Sequence, residues 1–184
     1  MHAKSKTFDA YLRFESWMKT QHGKVVKQLC SDRGEEYLSN EFTHHLKTTG
    51  MEWKLTTHDM PEHNGVAKHL NQMLVECICT ILHASELPKN LWGEVLLHVV
   101  WVKNRSATRA LDGKTPYKML YGRKPNLSGL PSWGVKCWIL DHSGLKLDDH
   151  AKEGHWVGFN AESTVHRIYL PDQHAVVVER NVTF

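Results

Sequence analysis

Cysteine is scarce and irregularly placed in these 184 residues. Cys30, Cys77, Cys79 and Cys137 form no CxxC pair and no regular framework, which argues against a disulfide-stapled scaffold and suits a reducing compartment. Cys77, Cys79 and His83 lack the second ligand pair that a zinc site needs, so Cys77 reads as a packing residue. Charge of one sign is also missing: 23 Lys and Arg stand against 20 Asp and Glu, a net charge of only +3. Such a balance is no nucleic-acid signature by itself, although 14 histidines raise the charge in mild acid. No apolar run is long enough to span a bilayer. The richest, Val95 to Val102, is broken by His98 and is about half the ~20 residues required. The start, Met1-His2-Ala3-Lys4-Ser5-Lys6, lacks the apolar core of a signal peptide. No internal repeat or low-complexity tract is present. The expectation is an intracellular protein, nuclear or cytoplasmic, neither secreted nor membrane-bound, and long enough for one medium domain or two small ones.

What is present divides in two. Up to Tyr121 the pattern is mixed helix and strand. Phe8, Tyr11, Leu12, Phe14 and Met18 give Thr7–Gln21 an apolar helical face, which Gly23 ends. Val25–Leu29 reads as a short strand. Ser39 or Asn40 caps a helix with Phe42 and Leu46 on one face, Gly50 stops it, and Glu52–Thr56 is a second strand. Thr57–His63 reads as a loop. A long helix follows from about Asn64 to Ala84, with Val66, Leu70, Met73, Leu74, Cys77, Ile78 and Ile81 as its buried stripe. Leu91 to about Arg105 is apolar nearly all round and is expected to be buried. Gly122–Ser132 carries Pro125, Gly129 and Pro131 and reads as a linker. Beyond Trp133 the pattern turns β-like: Val135–Leu140, His155–Phe159, Arg167–Leu170 and Ala175–Glu179 are expected strands, with turns at 142–144, 160–164 and Pro171-Asp172. Short strands with close turn signals suggest a small barrel.

The organising stretch runs from Ser31 to Asn71. By its place after a strand, Asp32 is either a turn residue or a metal ligand at the carboxyl edge. Ser31-Asp32-Arg33-Gly34 with Glu36-Tyr37-Leu38-Ser39, then Pro61-Glu62-His63-Asn64-Gly65-Val66-Ala67, then Leu87-Pro88-Lys89-Asn90-Leu91-Trp92-Gly93-Glu94, occur in order. So do Lys114-Thr115-Pro116-Tyr117, Gly122-Arg123-Lys124-Pro125, Gly154-His155-Trp156-Val157-Gly158-Phe159 and Arg180-Asn181-Val182-Thr183-Phe184. In that order they resemble the integrase core of copia-type retrotransposons, of the retroviral integrase group, followed by the retroviral polymerase Src-homology-3-like domain. The resemblance implies an α/β fold: a truncated RNase H-like core at residues 1–125, a linker at 126–132, and a small all-β Src-homology-3-like barrel at 133–184. The first strand being absent, it also implies an unpaired apolar edge at Val25, Val26 and Leu29, open to self-association.

In that group an Asp and a Glu separated by 35 residues supply two thirds of a metal-binding Asp, Asp, Glu triad. Asp32 is the Asp, a vestigial ligand; Lys68 stands where the Glu is required, and Glu35 where a Gly is usual. The triad's first Asp and the group's zinc-binding module have no counterpart in these residues. Two divalent ions would clamp the attacking and leaving oxygens of strand transfer, and Mg²⁺ takes hard anionic oxygens, which an ammonium cannot supply. The resemblance therefore implies an integrase fragment whose ancestral role is DNA integration by Mg²⁺-dependent strand transfer, itself inactive and without bound cofactor. The alternative is a non-enzymatic module that binds nucleic acid or a protein. Lys103, Arg105, Lys114, Arg123 and Lys124 are the candidates for phosphate contact, each also readable as solvated surface. Expected DNA binding is weak and non-specific. Trp133, Trp138 and Trp156 read as barrel core rather than as stacking platforms.

Overall fold

The computed structural model describes residues 6–31, 34, 37–55, 65–140, 151–160 and 165–184. The chain forms two compact units, 1–71 and 72–184.

In the first unit α1 (Thr7–His22) ends on Gly23, whose φ of +59° lets its N–H reach Lys19 O. Helix α2 (Asn40–Thr49) starts at Ser39, whose Oγ accepts from Phe42 N at 3.3 Å, and ends at Gly50. Phe42, Leu46 and Met51 form a buried core against which Phe8, Tyr11, Val26, Leu29 and Trp53 pack. Tyr11 donates to Met51 Sδ at 3.0 Å; burial and then the Glu15 carboxylate push its phenol up to about 12. Two strands, β1 (Gln28–Ser31) and β2 (Glu52–Leu55), pair in parallel from Gln28↔Glu52 to Ser31↔Leu55. The strand expected at Val25–Leu29 thus begins three residues later. Glu52 N donates to Lys27 O, so the ladder starts where β2 can reach it. Among the described residues β1 pairs with β2 alone, so its other edge is open, but the side chains of Val26 and Leu29 pack against the Phe42 core and Val25 stays well exposed. The first residues of α3 (Gly65–Ser85) belong to this unit.

The second unit joins helices to an antiparallel sheet. It holds the rest of α3, then α4 (Trp92–Arg105) and α5 (Pro116–Tyr121). The strands are β3 (Lys136–Leu140), β4 (Ala151–Phe159), β5 (His166–Leu170), β6 (Ala175–Glu179) and β7 (Val182–Thr183), in the order β6-β5-β4-β3-β7. The order expected from the sequence, α/β followed by all-β, is the one adopted. Cys137, Ile139, Trp156, Ile168 and Leu170 fill the sheet's inner face. Burial pushes the Cys137 thiol up to about 11. Gly154 is required here: a Cβ would lie 2.5 Å from Ile168 Cγ2 and 3.0 Å from Tyr169 O. A bulge between Trp156 and Gly158 shifts the register of β4 on β5.

A second core ties the helices to the sheet. Leu91, Val157 and Tyr169 are buried together, with Leu82, Leu87, Trp133 and Val176 around them. The pair Arg167–Glu94 fastens α4 to β5 through two hydrogen bonds, Nε to Oε2 at 2.8 Å and Nη2 to Oε1 at 2.7 Å. Three expectations need correction. Helix α4 is not buried all round: Val95 and Val99 face inward, while Trp92, Leu97 and Val100 are exposed, because the sheet covers one side only. The stripe on α3 is half-buried at best, with Leu70 exposed. Trp138 is 43% exposed, since alternation along β3 turns Cys137 and Ile139 inward and Trp138 out. The expected turn at 142–144, residues 161–164 of that at 160–164 and the whole 57–63 loop lie outside the described residues.

Candidate functional site

Lys68 sits in the first turns of α3 with its side chain exposed. Asp32, together with Arg33, Glu35 and Glu36, lies outside the described residues. What the structure describes nearby is the end of β1: Ser31 is buried, and its Oγ accepts from Trp53 Nε1 at 2.9 Å. No group of three His, Cys, Asp or Glu side chains able to hold a metal occurs among the described residues. Lys68 offers no anionic oxygen of the kind that Mg²⁺ takes. Cys77 lies 3.8 Å from Met73 Sδ, while Cys79 and His83 are exposed, so these three form no zinc site.

The basic candidates separate into two groups. Lys103 and Lys114 are exposed on their own. Arg105, Arg123 and Lys124 converge on one cleft of about 510 Å³. Its geometry follows from local sequence. Trp101 and Arg105 are four apart on α4, so they share a face. Tyr117 and Tyr121 are four apart on α5, which Thr115 caps through Lys118 N at 3.0 Å, which Pro116 opens and Gly122 closes at φ +74°. Residues 123–128 form one rim and Phe159, the last residue of β4, lines the cleft as well. The Arg105 guanidinium lies 3.8 Å from the Trp101 ring centroid and 4.8 Å from that of Tyr117, and Nη1 donates to Trp101 O at 3.1 Å. The Tyr117 and Tyr121 ring centroids lie 4.6 Å apart, the planes tilted by 37°. Among the described residues no carboxylate lines the cleft, and burial holds Arg105 below its ordinary pKa, partly offset by Tyr117 and Tyr121.

Sequence reasoning missed the aromatic half of this cleft. Trp101, Tyr117 and Tyr121 had one available signal, aromatic residues at helical spacing interleaved with Arg105 and Arg123. The tryptophans with a stacking alternative in the sequence are those at 133, 138 and 156. Of those, Trp156 is wholly buried, with Nε1 donating to His166 Nδ1 at 3.0 Å, and Trp133 donates to Val157 O at 2.9 Å.

Comparison with known proteins bears on both units. Residues 135–184 match the family described as the retroviral polymerase SH3-like domain. The "Retrovirus-related Pol polyprotein from transposon TNT 1-94" of Nicotiana tabacum is 28% identical over 98% of this chain. That from transposon RE2 of Arabidopsis thaliana is 26% identical over 98%. The chain spans 14% and 12% of these two relatives. Among solved structures, the HTLV-2 integrase catalytic core domain in complex with magnesium, in a trimeric form, is 21% identical, covers 65% of this chain and 71% of its own, and gives a TM-score of 0.42. The simian T-cell lymphotropic virus intasome in complex with the PP2A regulatory subunit B56 gamma is 18% identical, covers 98% and 65%, and gives 0.47. Over nearly its whole length, therefore, this chain is similar to one segment of retrotransposon Pol polyproteins, and its C-terminal sheet to the retroviral polymerase SH3-like domain.

Proposed function

We propose that the chain is part of an integrase from a copia-type retrotransposon Pol polyprotein, descended from an enzyme that joined DNA by Mg²⁺-dependent strand transfer and now catalytically silent. By descent, residues 1–125 are the RNase H-like core, 126–132 a linker and 133–184 the Src-homology-3-like barrel. One observation carries the reading: similarity to Pol polyproteins runs through 98% of the chain, yet Lys68 occupies the position of the catalytic Glu. Asp32 is then a vestigial ligand. DNA is the expected partner, in an intracellular setting. A second reading, a non-enzymatic nucleic-acid-binding module, is favoured by the cleft, where Arg105, Arg123 and Lys124 face aromatic rings and no acid.

The deciding experiment is a strand-transfer assay on the 184-residue chain and on Lys68→Glu, with a duplex end substrate and Mg²⁺ or Mn²⁺. Neither protein is expected to join ends. The variant brings back one carboxylate, making two with Asp32, and two like charges brought together raise the pKa of one of them. Joined product from the unaltered chain refutes the silent reading. Product from Lys68→Glu alone would mean that another carboxylate, such as Glu35 or Glu36, completes the site. Duplex binding should be weak, and its logarithm should fall linearly with log salt with a slope of only a few phosphate contacts.

A further inference from the structure

We propose that the cleft between α4, α5 and residues 123–130 seats one unpaired nucleotide of a single-stranded nucleic acid, its base against Tyr121 and its phosphates against Arg105, Arg123 and Lys124. The inference rests on the reading of the chain as derived from a nucleic-acid enzyme, and deepens it by naming the strand state and the seat.

Four observations converge. The cleft's volume of about 510 Å³ lies within the roughly 300–1,000 Å³ that takes small ligands. Its lining includes three cations and four aromatic rings, Trp101, Tyr117, Tyr121 and Phe159, and among the described residues no carboxylate. Arg105 is half-buried between two rings, and among the described residues it has no acidic partner; its Nη1 donates to the Trp101 backbone carbonyl. A cation partly withdrawn from water and set against rings favours an anion beside it. Finally, Tyr121 lies tilted against Tyr117 and still has 41% of its surface exposed at the rim, next in sequence but one to Arg123.

Each part excludes a simpler ligand. A duplex presents phosphates on a convex face and keeps its bases stacked on one another, so it would use the cations and leave the rings idle. An inorganic anion would likewise use the cations and leave the rings idle. Only an unpaired base uses an aromatic platform and cationic rim together, and stacking of this kind tolerates any base because every base has a π-face.

The test uses the full chain and fluorescence anisotropy at low salt with fluorescein-labelled dT12, rU12 and a 12-base-pair duplex. The dT12 and rU12 arms distinguish DNA from RNA as the source of the strand. We expect at least one single strand to bind about fivefold or more tighter than the duplex. Tyr121→Ala should remove that preference, and Tyr121→Phe should keep it. Because Tyr121 is at the surface, the Ala variant should melt like the parent; if it does not, Arg123→Gln with Lys124→Gln, both at exposed positions, serves instead and should weaken single-strand binding about fivefold or more, with a smaller effect on the duplex. Single-strand binding that Tyr121→Ala leaves unchanged overturns the seat. Preference for duplex with both variants silent overturns it too, while leaving the integrase-derived reading intact. Binding to no nucleic acid even at low salt overturns both.

Discussion

Breaking the Glu94–Arg167 pair measures how firmly the helical segment is fixed to the sheet. Both side chains are about four-fifths buried, at 19% and 22% exposed, and two short hydrogen bonds join them. The pair is bidentate and charge-assisted, the stronger class of hydrogen bond. Hydrogen bonding to Glu94 raises the Arg167 guanidinium above its ordinary pKa despite the opposing effect of burial. Removing one member of a fully buried pair costs about 3–5 kcal/mol, mostly because the other charge is stranded. Here a fifth of each side chain reaches water, which lets an orphaned charge recover some hydration, so about 2–3 kcal/mol is expected for Glu94→Gln or Arg167→Met. The double variant should cost about as much as either single one, because the stranded charge is gone; the coupling energy should be at least ~1 kcal/mol. The assay is urea denaturation of the full chain followed through the Trp156 indole N–H resonance, which reports this unit alone. Single variants within about 0.5 kcal/mol of the parent, the range of ordinary surface changes, would refute the argument. So would strict additivity.

Three further outcomes follow from the packing. Gly154→Ala places a methyl 2.5 Å from Ile168 Cγ2 and 3.0 Å from a carbonyl held in the ladder, and should cost about 1–3 kcal/mol by overpacking; an unchanged melting temperature contradicts it. Leu91→Ala, at a site 6% exposed, should cost about 2–5 kcal/mol and lower hydrogen-exchange protection at Val157 and Tyr169 on the sheet; loss confined to the helices would show that the two do not share a core. Acid should destabilise this unit through His98 and His166, whose pKa values burial lowers in the folded state. The unfolded chain then binds more protons, so stability rises with pH. The contribution is complete above about 6.5, the ordinary imidazole value, and is lost as pH falls from there through the lowered folded pKa. His166 Nδ1 must also stay unprotonated to accept from Trp156, so His166→Asn should flatten the decline; a decline of unaltered steepness in that variant counts against it.

Local chemistry made much of the chain legible without coordinates. Gly23, Gly50 and Gly122 end helices because each takes a positive φ that other residues resist, and Ser39 and Thr115 begin them by accepting a backbone N–H. Such preferences involve residues within four positions of one another, so the sequence displays them directly. The presence of Lys68 near the start of α3 is equally plain, because it is a question of residue identity at a position. Side-chain alternation, by contrast, left Trp138 and Trp156 indistinguishable until pairing with β4 and β5 decided which faces inward. The apolar composition of α4 could not say that only Val95 and Val99 would be covered, since that depends on a single sheet packing on one side. Glu94 and Arg167 meet across 73 positions, and the cleft gathers residues from 101 to 159. Those contacts arise from tertiary packing: the distances are fixed only once α4 lies on β4 and α5 turns back on α4. The sequence by itself therefore determined most of the elements, the Ser39 cap, the glycine stops at Gly23 and Gly50 and the lysine at position 68, because these rest on neighbours within a few positions; the tertiary structure decided which cations and rings share a cleft.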